Sequence, residues 1–106
     1  SFLQLLFAHI ELRPLCSFAV VDIQAEAPPF SADAGVCSEV LEHLDDDDAA
    51  IRNISTAVTY LVVTVPSGPV TDSSVAMGHV RHYTRESLRA KLAANGFDVL
   101  DIRAWG

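Results

Sequence analysis

Cysteine is scarce in this chain. Cys16 and Cys37 are the only two in 106 residues, too few for a disulfide scaffold and in keeping with a reducing compartment, so a cytoplasmic protein is expected. Basic residues are scarce as well: 7 Lys and Arg stand against 14 Asp and Glu, for a formal charge of -7. That balance removes the broad basic patch needed to hold DNA or an anionic membrane, and it argues against RNA as the substrate of this portion. No apolar run approaches the roughly 20 residues that cross a bilayer. The start, Ser1 followed by Phe2-Leu3-Gln4-Leu5-Leu6-Phe7, lacks both the basic region and the small-residue cleavage site of a signal peptide. The 5 Gly and 5 Pro form neither a repeat nor a low-complexity linker.

What is present belongs to a globular domain. Hydrophobic residues make up 50% and charged ones 20%, unlike a disordered tail or a fibrous repeat. The length suits one domain with a small core. Residues 2–10 predict a short helix or a buried strand that Pro14 ends. Phe18-Ala19-Val20-Val21-Asp22-Ile23 is an apolar run closing on an acid, the pattern of a buried parallel strand. Pro28-Pro29-Phe30-Ser31 predicts a loop, and Ala34-Gly35-Val36-Cys37-Ser38 a second strand. Asp45-Asp46-Asp47-Asp48 then starts a helix whose apolar face is Ile51, Ile54 and Val58, since acids in a first turn suit the helix dipole. On a helix, four adjacent acids point in several directions and so do not form a cation site. Asn53-Ile54-Ser55 inside this helix is an accidental glycosylation sequon.

Tyr60-Leu61-Val62-Val63-Thr64-Val65 is β-branched and apolar on both faces, which predicts a strand with helices above and below the sheet. A polar loop follows. Thr84 caps a helix carrying Leu88 and Leu92, with Glu86 one position early for a strict capping box. Gly96 and Phe97 fit a Schellman ending, and Phe97–Ile102 predicts a last strand. Strands alternating with helices predict an α/β fold with an open, mostly parallel, Rossmann-like sheet and right-handed crossovers.

Ligands of such sheets bind beyond the carboxyl ends of the strands. That rule selects Asp22-Ile23-Gln24, Cys37-Ser38-Glu39 and Pro66-Ser67-Gly68. The densest chemistry lies in Cys37-Ser38-Glu39-Val40-Leu41-Glu42-His43-Leu44, where two acids are three residues apart and a histidine adjoins the second.

The segment from Asp33 through Leu44, Asp-Ala-Gly-Val-Cys-Ser-Glu-Val-Leu-Glu-His-Leu, resembles the fourth-strand region of class I S-adenosylmethionine-dependent methyltransferases. Companions follow in the family's order across residues 18–106. Val21-Asp22-Ile23-Gln24 with Pro29-Phe30 resembles the third-strand acid and its loop, and Leu61 through Pro66 the fifth strand. Gly78-His79-Val80-Arg81-His82-Tyr83-Thr84, Leu88 and Asn95-Gly96-Phe97 resemble the loop, helix and sixth strand beyond it. The family's glycine-rich loop and second-strand acid have no counterpart, and Ala57-Val58-Thr59 stands where Pro-Gly-Gly is usual. The resemblance therefore implies a single partial domain, the second half of a larger one, inactive by itself.

Class I methyltransferases transfer a methyl in line from the sulfonium of S-adenosylmethionine to O, N or C, chiefly through alignment in a dry cleft. The resemblance places Asp22 and Ile23 at the adenine, and Cys37 and Ser38 at the methionine end of the cofactor. Cys37 is expected as a small buried residue and not as a nucleophile. Glu39, Glu42, His43 and His79 resemble the metal set of the small-RNA 2′-O-methyltransferase branch, where the later histidine precedes an aromatic-Thr-Arg-Glu like Tyr83-Thr84-Arg85-Glu86. A divalent cation, Mg2+ or Mn2+, is implied there. His43 and His82 are the candidate catalytic bases.

The expected acceptor is a small molecule: a metabolite, a sugar or a lipid intermediate. Alternatives are a non-catalytic methyltransferase-like module for partner binding and metal-assisted 2′-O-methylation of RNA ends. A nicotinamide-binding Rossmann domain fits the motif order worse. An incomplete sheet would also expose apolar edges that invite pairing with a second chain.

Overall fold

The structure is a computed structural model and describes residues 17–104; the element expected over residues 2–10 lies outside them. Strand β1, Ala32–Ser38, and strand β2, Val58–Thr64, pair in parallel. The register runs from Ala32 opposite Val58 to Ser38 opposite Thr64. Parallel strands need a crossover, and helix α1, Asp47–Ser55, provides it. Helix α2, Asp72–Ala76, and helix α3, Arg85–Ala94, follow. The result is an α/β architecture with a two-stranded parallel sheet and three helices.

Local chemistry sets the helix boundaries. The Asp46 carboxylate caps α1 by accepting from the Ala49 amide at 3.0 Å, so the acidic run does start a helix. The far end comes sooner than the apolar spacing suggests. Ser55 donates its hydroxyl to the Arg52 carbonyl at 2.6 Å, and Thr56 donates to that of Asn53 at 2.8 Å. Such side-chain bonds compete with helix propagation. Val58 accordingly opens β2 instead of extending the apolar face of α1. Asn53 donates its amide to the Ile23 carbonyl at 2.7 Å, which occupies the nitrogen of the sequon.

Helix α3 carries a capping box built with Ser87 and not Glu86. Thr84 accepts from the Ser87 amide at 3.0 Å, and Ser87 accepts from the Thr84 amide at 2.9 Å. Its end is a Schellman closure, with the Phe97 amide donating to the Leu92 carbonyl at 3.0 Å. Gly96 makes the closure with φ +103°, and a Cβ there would stand 3.0 Å from the Ser55 hydroxyl. The loop expected between β2 and α3 contains α2, which Thr71 caps by accepting from the Ser74 amide.

Two expected strands are not strands. Residues 18–23 are not a strand and lead into a turn, where Asp22 accepts from the Gln24 amide through its carboxylate and from Ala25 and Glu26 through its carbonyl. These local bonds replace a ladder. Phe97–Ile102 is irregular as well. Phe97, Val99 and Ile102 rest on the core while Leu100 projects outward, so packing of these side chains, and not a strand ladder, orients the segment.

The core consists of Cys37, Leu41, Ala50, Ile51, Tyr83, Leu88 and Leu92, with Leu61, Val63 and Val65 against it. Among the described residues it occupies one face of the sheet. On the other face Val36, Tyr60 and Val62 are 75%, 61% and 59% exposed, so no described helix covers the side on which a second layer was expected. Among the described residues no helix is long and apolar enough to cross a membrane.

Candidate metal centre

The carboxyl ends of the two strands meet at a hydroxyl pair, Ser38 Oγ and Thr64 Oγ1, 2.7 Å apart. The Glu39 amide continues the ladder by donating to the Thr64 carbonyl at 2.9 Å. Glu39 itself has φ +54°, a left-handed conformation uncommon outside glycine. This reversal turns the chain into a 3-10 turn, Leu41–His43. Leu41 anchors the turn in the core at 1% exposure and Glu42 is fully buried beside it, whereas His43 is exposed.

Glu42 is the anomaly of the molecule. Neither carboxylate oxygen has a hydrogen-bond partner among the described residues, although a buried carboxylate without one is strongly disfavoured. Burial pushes its carboxyl above the ordinary carboxylate range; its own backbone amide and the charge of His43 oppose the rise, and the neighbouring Glu39 adds to it. His43 Nε2 lies 3.6 Å from Glu42 Oε1, and the rings of His43 and His79 stand edge to face with centroids 4.8 Å apart. One ligand atom from each of Glu42, His43 and His79 falls within 4.8 Å of the others. Metal–ligand bonds of roughly 2.0–2.2 Å place neighbouring donors about 3 to 3.5 Å apart. The trio is therefore gathered but slightly splayed, and small side-chain rotations would close it.

The chain from 78 to 83 is fastened to this turn along its length. Gly78 has φ +89°, and a Cβ there would come within 3.3 Å of His43 Nδ1. The Val80 amide donates to the Glu42 carbonyl at 2.8 Å. Arg81 donates to the carbonyls of Leu41 at 3.0 Å, Asp45 at 2.9 Å and Leu44. His79 Nδ1 and His82 Nε2 are 2.7 Å apart and share a hydrogen bond.

Beneath the turn lies a network that sequence reasoning missed. Asp47, nearly fully buried, accepts from the Tyr83 hydroxyl at 2.6 Å and from Lys91 Nζ at 2.7 Å, with Arg81 at 3.5 Å. Burial alone would raise its carboxyl, but hydrogen bonds from Lys91 and Tyr83 and the charge of Arg81 outweigh it and hold it below the ordinary range. Burial, reinforced by Asp47, pushes the Tyr83 hydroxyl up. Nothing in the acidic run distinguishes Asp47 from its neighbours, and its partners lie 36 and 44 positions away.

Of the residues selected from sequence, Glu42, His43 and His79 converge, with His82 directly behind His79. Glu39 stays outside the trio, although its charge reaches Glu42. Cys37 sits in the core, where burial and then Glu42 push its thiol up, which fits packing and not attack. Ser38 lies at the strand end, while Asp22 holds its turn and Ile23 packs against the core. Two open depressions, one lined by Ser31–Asp33 with Ser55–Thr59 and one along Arg85, Arg89 and Ile102, do not include the trio. No protein-family model matches the chain, and neither curated proteins nor solved structures give a match.

Proposed function

We propose that this chain holds a divalent cation through Glu42, His43 and His79 and serves S-adenosylmethionine-dependent methyl transfer to a hydroxyl of a small molecule. The observation that carries the metal reading is the buried Glu42 carboxylate, without a hydrogen-bond partner among the described residues and beside two imidazoles. One carboxylate with two imidazoles is a donor set suited to Mn2+, Zn2+ or a similar ion, and Mg2+ would keep several waters there. The methyl-transfer reading rests on the motif order across residues 18–106 and on the site's position at the carboxyl ends of parallel strands.

A bound cation would polarise the acceptor hydroxyl and favour its ionised form. The residues of the chain do the positioning. Glu42 and His43 approach from the 3-10 turn and His79 from the facing segment. The cofactor, if bound, would supply an electrophilic methyl whose bond to sulfur breaks as its bond to the acceptor oxygen forms, giving S-adenosylhomocysteine and a methyl ether, with the hydroxyl proton lost to solvent. With His43 turned to Glu42 and His82 bonded to His79, both expected bases have other work.

The RNA reading drew on Tyr83-Thr84-Arg85-Glu86, but Tyr83 is taken by Asp47 and Thr84 by its capping box. Folding alone therefore accounts for those two residues, and the acidic composition stands against RNA. Calorimetry of S-adenosylhomocysteine against the full-length protein tests the cofactor; absence of binding sinks methyl transfer. Stimulation of turnover by Mg2+, Mn2+ or Co2+, abolished in Glu42→Ala, tests the metal.

A further inference from the structure

The pair His79–His82 does something that a candidate base does not. His79 Nδ1 and His82 Nε2 are 2.7 Å apart, their rings inclined at 65° with centroids 5.0 Å apart. The other nitrogen of His82, Nδ1, is buried and has no hydrogen-bond partner among the described residues. Across His79, His43 stands edge to face at 4.8 Å. The three imidazoles thus form a row that begins beside Glu42 and ends inside the protein.

We infer that His82 is a positioning residue that fixes the ring orientation and tautomer of His79, so that His79 presents Nε2 to a cation. The inference rests on the metal reading above and assigns His82 away from the base role. A neutral imidazole that ligates through one nitrogen carries its proton on the other, and an acceptor for that proton fixes the tautomer and the ring orientation. His82 Nε2 lies within hydrogen-bond distance of His79 Nδ1, and the inference assigns it as that acceptor. For it to accept, the proton of neutral His82 must reside on Nδ1, which the surroundings leave unpartnered. His79 is also fixed from its backbone, the amide donating to the Ser74 carbonyl at 3.0 Å. Main chain and His82 together leave its ring little freedom.

The ligand and the positioning residue separate experimentally. Mn2+ is titrated calorimetrically into the full chain, His82→Ala and His82→Gln, the last placing an amide oxygen near the position of Nε2. The expected result is a loss of Mn2+ affinity of roughly 10- to 100-fold in His82→Ala, with most of it recovered in His82→Gln. In the cation-free full chain, nitrogen-15 spectra should show the His79 proton on Nδ1, and His82→Ala should lose that preference. Unchanged Mn2+ affinity in His82→Ala, a His79 proton on Nε2 in the unsubstituted chain, or failure of His82→Gln to recover affinity would each overturn the inference. If His82→Ala does not fold, the His82→Gln titration and the spectrum of the unsubstituted chain still decide it. If the unsubstituted chain binds no Mn2+ while its spectrum shows the Nδ1 proton, the metal reading has failed and the ring-holding role survives as a structural one.

Discussion

At the scale of single residues, burial separates two acids that look alike in sequence. Glu42 and Asp47 both lie in the acidic stretch after β1, and both are buried. Asp47 is surrounded by Tyr83, Lys91 and Arg81, whereas Glu42 has His43 at 3.6 Å and no hydrogen-bond partner among the described residues. Asp47→Asn should destabilise the protein by about 3 kcal/mol in chemical denaturation, because it leaves Lys91 and Arg81 facing a neutral amide. The acid dependence follows from the direction of its shift. Asp47 has a folded pKa below the ordinary 3.8, so its stabilisation is complete above that value and is lost as pH falls through the depressed one. Thermal melts of Asp47→Asn should therefore lose less stability than the parent over that acid window. An equal loss would assign acid unfolding to other carboxyls. Glu42→Gln should act in the opposite sense without metal, raising the melting temperature, because an amide is cheaper to bury than an unpaired carboxylate.

At the scale of elements, the two longer helices were legible where side chains cap the backbone, whereas the single-turn α2, capped by Thr71, read as a loop. The Asp46 start, the Thr84 cap and the Gly96 ending all involve residues a few positions apart, and the structure shows all three. Thr84→Ala should cost about 1 kcal/mol in denaturant unfolding. Elements that depend on distant partners were not legible. Phe18–Ile23 and Phe97–Ile102 have strand-like patterns, yet pairing depends on a neighbour that the pattern cannot supply. The metal trio was legible in part, because Glu42 and His43 are adjacent and His79 came with a recognisable order of motifs. The fastening by Arg81 was not, since its targets are backbone carbonyls, which any sequence offers. Arg81→Lys should weaken Mn2+ binding several-fold while leaving a folded protein, because a point charge cannot span the carbonyls of Leu41, Leu44 and Asp45 as the guanidinium fork does. Circular dichroism and calorimetry check this together, and unchanged affinity would detach the fastening from the site.

At the scale of the whole molecule, the trio sits where parallel strands end, away from the depressions beside Asp33 and Val58 and beside Arg89 and Ile102. One sheet face is packed and the other bears exposed Val36, Tyr60 and Val62, so Leu61 and Val63 mark the core and their neighbours do not. The two-sided apolarity of β2 concealed that asymmetry, because a pattern apolar at every position does not say which face is covered. The claim on which the rest depends is that Glu42 is buried without a hydrogen-bond partner among the described residues because it serves a cation. Calorimetric titration of Mn2+ into the full chain and into Glu42→Gln tests it most directly. One cation per chain, with affinity reduced at least about 100-fold in Glu42→Gln, is the expected outcome; equal binding by both proteins, or no binding by the unsubstituted chain, would contradict it.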